Sequence, residues 1–150
     1  MRKFALLLII VGLLTACSPA AHLDASLNGI EISNARVLLP GGDAMSGMDT
    51  SLAAFLMIKN TAAMDDRLLG VSTDFGEASL HETKTEGNVM KMDAITGVDV
   101  PAGQMVELRS GSYHVMIMKN KNIKVNDSVT LVLEFEKAGR ITVPAKVTDK

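Results

Sequence analysis

The chain has 150 residues, a formal net charge of −2 and a hydrophobic fraction of 47%, enough for one globular domain with a core of ordinary size. The near-neutral balance, without a basic run, excludes a nucleic-acid binder that works by phosphate neutralisation. The single cysteine, Cys17, leaves no disulfide and no thiolate for the folded part of the chain.

Arg2 and Lys3 precede an apolar run from Phe4 to Leu14, shorter than the ~20 residues a spanning helix requires, so it reads as a secretory signal rather than an anchor helix. The run ends in Leu14-Thr15-Ala16-Cys17, which resembles the lipobox of bacterial lipoproteins, in which the cysteine is lipidated and becomes the mature N-terminus. The expected division is therefore 1–16 as lipoprotein signal peptide, 17–28 as a small and polar tether that includes His22, and 29–150 as the folded domain. Attachment would come from acyl chains on Cys17, placing the protein in the periplasm or cell envelope. Ser18 stands after the lipidated cysteine, where an aspartate would signal inner-membrane retention, and this points to the outer membrane.

Beyond the tether, Ile30 to Val37 alternates apolar and polar with the period of a half-buried strand. A turn cluster at Pro40-Gly41-Gly42-Asp43 follows, with Met45 and Met48 in the loop behind it. Ser51 to Lys59 is apolar enough for a central strand. Shorter strands are predicted at Arg67–Ser72, Ala78–Thr83, Met105–Arg109, His114–Met118, Val129–Phe135 and Arg140–Val143, with turns at Asn126-Asp127 and Ala138-Gly139. Many short strands with no long 3.6-residue period argue for an antiparallel sandwich or barrel.

The chemistry concentrates between Ser79 and Lys119, which holds two of the three histidines beside a group of methionines. A hairpin is expected there. With Glu86-Gly87 as a two-residue loop, His81 lies directly opposite Met92; a three-residue loop sets His81 against Asp93 instead. On the later strand His114, Met116 and Met118 share one face, and Val115 and Ile117 take the other, which is the better core face. In the hairpin's first strand His81 falls on the polar side, whereas Met90 and Met92 alternate with Lys91 as though turned inward. A site at the sandwich edge reconciles the two.

Thioether sulfur is soft, uncharged and does not titrate, so a His and Met set suits Cu(I) and poorly suits zinc, calcium or magnesium. Without a thiolate it cannot be a blue-copper electron-transfer centre of the Cys and His type. Against this stands packing, the commoner employment of any one methionine.

His81, ten residues, Met92, twenty-one residues, then His114-Val115-Met116 resembles the metal motif of the periplasmic copper chaperone family PCu(A)C. Similar text surrounds it at Asp66–Ser72, Leu80–Thr83, Val100–Gly103, Gly111–Met116 and Leu133–Gly139. The resemblance implies a single cupredoxin-like antiparallel β-sandwich of Greek-key type that binds Cu(I) through His81, Met92, His114 and Met116. It also implies a non-enzymatic carrier that delivers copper outside the cytoplasm, to the copper centre of a haem-copper cytochrome oxidase or beside a thioredoxin-like copper-insertion protein. Met90 and Met118, one strand period from motif residues, are possible secondary sulfur donors. The alternatives are copper sequestration by the same site, a metal-free envelope module, and a small redox enzyme, the last disfavoured by the missing thiolate.

Overall fold

The structure, a computed structural model, describes residues 23–39, 51–119 and 122–149. The leader, Cys17, His22, Met45 and Met48 lie outside the described residues. Within them the chain is all strand: β1 (Leu23–Leu27), β2 (Ile30–Leu38), β3 (Ser51–Asn60), β4 (Asp66–Thr73), β5 (Gly76–Glu86), β6 (Val89–Ala94), β7 (Val98–Val100), β8 (Met105–Leu108), β9 (Tyr113–Lys119), β10 (Ser128–Phe135) and β11 (Gly139–Thr148).

The strands run β2-β11-β10-β4-β5-β9-β3, and a β2–β3 pairing closes them on themselves. The result is a barrel of 7 strands with β1, β6, β7 and β8 attached outside the ring. Closure removes most of the edges that an open sheet would expose. All pairings are antiparallel but one, Lys146–Thr148 of β11 running parallel to Arg36–Leu38 of β2.

Alternation builds the core. Leu52, Ala54, Leu56 and Ile58 of β3, Val115 and Ile117 of β9, and Val129, Leu131, Leu133 and Phe135 of β10 are all buried, each set two residues apart and so on one face of its strand. In β2 the buried phase changes from Ile30 and Ile32 to Val37. A bulge between Ser33 and Arg36 inserts the extra residue, with Asn34 in the left-handed region at φ 57°, a conformation asparagine tolerates. The Asp24 carboxylate accepts from the Ala35 N–H at 2.7 Å and ties β1 to that bulge. Leu23–Leu27, expected within the tether, is thus a strand paired with β2.

The expected strands all form, most of them longer than the sequence suggested. The hairpin register is different. The two-residue loop is Gly87-Asn88, so Glu86 pairs with Val89, Thr83 with Met92, and His81 with Ala94. Tight two-residue turns need a positive φ at the first central position. Gly87 supplies it at φ 64°, whereas the alternative loop would force Glu86 there against its Cβ. Met92 therefore lies two residue pairs further toward the tip than expected, diagonal to His81 on the same face.

Candidate metal centre

Three strands carry the site. β5 lies between β6 and β9: His81 faces Ala94 on one side and His114 on the other, and Ser79 faces Met116. Met116 in turn faces Ala53 of β3. Residues two apart share a face, so His81, Thr83, Met90, Met92, His114 and Met116 all stand on the side of the sheet away from buried Leu80, Val115 and Ile117. Packing claims the opposite face, which leaves this one free for chemistry.

The two imidazole rings lie 5.8 Å apart between centroids, tilted by 31°. His114 is only 4% exposed, and its Nδ1 donates to the Ser112 carbonyl at 3.0 Å. That bond puts the proton on Nδ1 and leaves Nε2 with a lone pair, the arrangement in which a histidine ligates a metal. The same carbonyl accepts from the Thr83 N–H at 3.1 Å, so one oxygen fixes the His114 ring and anchors the base of the hairpin.

His81 is partly buried. Its Nε2 meets the Ser79 hydroxyl at 3.0 Å, while its Nδ1 is shielded from solvent and has no hydrogen-bond partner among the described residues. An orphaned ring nitrogen is costly if it carries a proton and is a ready donor if it carries a lone pair. Burial, and after it the charge of a protonated His114, hold the His81 pKa below the ordinary imidazole value of 6.5. Both effects favour the neutral ring that a metal requires.

The thioethers are arranged unequally. Met116 is partly buried beside this pair, whereas Met92 is 54% exposed on the outer strand. A cavity of about 230 Å³ lies against Met92, lined also by Ala53, Phe55, Met90 and His114 among others. Arg36 stacks on Phe55 with its guanidinium 5.3 Å from the ring centroid, holding that wall in place. Among the described residues no group of three or more His, Cys, Asp or Glu comes together to hold a metal. The hard and borderline donor sets of calcium and zinc are therefore not assembled there, and a metal at the imidazole pair would draw its other donors from sulfur.

The four motif residues thus occupy one face across three adjacent strands, and Met90 lines the cavity together with two of them, Met92 and His114. Met118 shares the face but lies beyond Met116, opposite Ser51 and Glu77, and does not line the cavity. The groups that orient the rings went unread in the sequence: Ser79 stands two residues before His81, the spacing that puts its hydroxyl on the same face, whereas Ser112 acts through its backbone carbonyl, which carries no side-chain signal. Phe55 had no local signal, because only the β3–β9 pairing brings it near.

Comparison with known proteins places this architecture. A family model described as "LpqE-like: Putative lipoprotein LpqE-like" matches residues 30–147. A relative named "Putative lipoprotein Lxx21020", from Leifsonia xyli subsp. xyli (strain CTCB07), is 30% identical over 159 residues, covering 99% of this chain and 90% of the relative. Among solved structures, the copper-bound PCuAC domain from PmoF2 is similar with TM-score 0.66 and 24% identity, over 83% of this chain and 97% of that one. The apo PCuAC domain from PmoF1 gives TM-score 0.68 at 20% identity, over 83% and 98%. The solution structure of CuI-DR1885 from Deinococcus radiodurans gives 0.59 at 20%, over 88% and 83%. The cupredoxin-like PCu(A)C fold implied by the sequence motif is the fold of this chain.

Proposed function

We propose, for a chain that belongs to the LpqE-like family of lipoproteins, that it is an extracytoplasmic copper carrier holding Cu(I) between His81, Met92, His114 and Met116. The observation that carries this reading is the His81–His114 pair: a buried, unpartnered Nδ1 on one ring and a tautomer fixed by the Ser112 carbonyl on the other, with thioethers on the same face. Two solved structures of similar fold are titled as copper-bound or CuI forms, which supports copper as the cargo here.

All four donors are neutral, so Cu(I) keeps its charge in the site and no proton need be displaced at neutral pH. Transfer proceeds by ligand exchange, thiolates or imidazoles of an acceptor replacing the donors one at a time, without an acid, a base or a redox step. A copper centre of a haem-copper oxidase, or a thioredoxin-like insertion protein, is an acceptor of that chemistry. Acyl chains on Cys17 would hold the carrier at a membrane of the cell envelope and raise its local concentration at membrane-bound acceptors.

Competitive Cu(I) titration against a chromogenic chelator tests the site. The chain from Ser18 onward should bind about one Cu(I), and His81→Ala, Met92→Leu, His114→Ala and Met116→Leu should each weaken it. Equal affinities in all five proteins would refute the assignment. A deletion strain that loses oxidase activity supports delivery; normal oxidase with raised copper sensitivity would make the same site a sequestering one.

A further inference from the structure

The β5–β6 hairpin extends beyond the barrel as an arm. β5 pairs with β9 only through Glu82, and from Thr83 to the tip the arm pairs with itself alone. On the face that continues the imidazole pair, β6 presents Met92 opposite Thr83 and then Met90 opposite Thr85, two residues or about 7 Å further out. Exposure rises along this line, from 4% at His114 to 54% at Met92 and 68% at Met90. Met90 is therefore not a packing residue. It nevertheless lines the cavity that His114 and Met92 share.

We propose that Met90 is the relay donor through which Cu(I) leaves the site, a thioether that captures the ion as the imidazoles release it and presents it at the exposed arm. This rests on the copper-carrier reading above. The exchange is balanced: the Met90 sulfur lone pair forms a bond to Cu(I) as a bond to an imidazole nitrogen breaks. The metal keeps its oxidation state and the imidazole remains neutral. A sulfur outside the resident set adds little to equilibrium affinity yet lowers the barrier to departure, because the ion is never left with fewer donors while an acceptor approaches. Met118, at the other end of the row, is 43% exposed but does not reach the cavity, so it does not share the path.

The experiment measures both affinity and transfer rate on the Cu(I)-loaded chain from Ser18 onward, using stopped-flow transfer to a bidentate chromogenic Cu(I) chelator. Met90→Leu keeps an apolar side chain of similar size. It should leave the equilibrium affinity within about twofold of wild type and slow transfer by about threefold or more, an effect on departure. Met92→Leu should lower the affinity itself. Met64→Leu is the control, an equally exposed methionine at 65% that lines a separate cavity with Asp66 and Lys137, and it should change neither. Transfer from Met90→Leu at the wild-type rate overturns the relay. An affinity loss in Met90→Leu equal to that in Met92→Leu also overturns it and makes Met90 a resident donor. Failure of the carrier reading is seen separately, as a wild-type chain that takes up no Cu(I), and the relay falls with it.

Discussion

Ser79→Ala offers a test of the site that leaves every proposed donor in place. Among the described residues the Ser79 hydroxyl is the one hydrogen-bond partner of the His81 ring, meeting Nε2 at 3.0 Å, while Nδ1 has none there. Without it the ring loses the contact that sets its rotation. Removal of such outer partners lowers metal affinity by about 10- to 100-fold, or about 1.4 to 2.7 kcal/mol. The cost to folding is that of one hydrogen bond at a partly exposed position, about 1 kcal/mol or less. The two measurements therefore separate. Chelator competition should show weakened Cu(I) binding, and urea denaturation of the copper-free chain should show a nearly unchanged midpoint. A variant with wild-type affinity would refute the idea that Ser79 orients a ligating imidazole, and so would a loss of affinity matched by a comparable loss of stability.

His81 also sets a pH dependence. The unfolded chain takes up the His81 proton near the ordinary imidazole value of 6.5, and the folded chain only at lower pH, since burial and then the neighbouring His114 lower its pKa. Between the two values the unfolded state binds more protons, so this part of the stability is intact above about pH 6.5 and declines as the pH falls through that value toward the folded pKa. Denaturation series from pH 8 to 4 should show the decline in wild type and a smaller one in His81→Gln. Gly76→Ala should destabilise the barrel by about 1 to 3 kcal/mol, the usual cost of overpacking, because a Cβ there would come within 2.0 Å of the Met118 carbonyl oxygen. Asp66→Ala should cost about 3 kcal/mol by the same assay: its buried carboxylate accepts from the backbone N–H groups of Arg67, Lys137 and Ala138, and donors left unpaired inside a fold are expensive.

The sequence was legible where a local rule acts alone. A largely apolar run located β3, and period-two alternation located β2 and separated Val115 and Ile117 from His114 and Met116 on β9, because burial on one face imposes that period directly. It ran short where a second element decides. The last strand was expected to end at Val143, just before Pro144, yet β11 continues to Thr148. The pairing with β2 begins only at Lys146, so the proline lies outside that pairing. β7 is three residues long with Val98 and Val100 both buried, too short for a periodic signal. The hairpin register turned on which residue takes the positive φ, and Gly87 rather than Glu86 was the physically available one. The His81–His114 pairing was not legible at all, since β5 and β9 meet only through the topology of the closed sheet.

On the proposed carrier reading, that pairing lets a rigid barrel serve a labile site. The two imidazoles sit where the sheet is continuous, the His81 ring held by Ser79 of its own strand and the His114 ring by the Ser112 carbonyl just before β9, which is tied to the arm as well. Their positions are fixed before any ion arrives, so little ordering cost remains to be met on binding. The thioethers on the arm are the opposite case. β6 is exposed along its whole length and paired on one side only, so Met92 and Met90 can reorient without disturbing the core. Firm nitrogen donors on the barrel wall and adjustable sulfur donors on an outer strand divide the work of holding an ion from that of releasing it. Loosening the arm alone, for instance with Asn88→Gly, which adds backbone freedom at the Gly87-Asn88 turn, should therefore alter the rate of Cu(I) transfer to a chelator more than the affinity. A change confined to affinity would place the control of release in the imidazole pair instead.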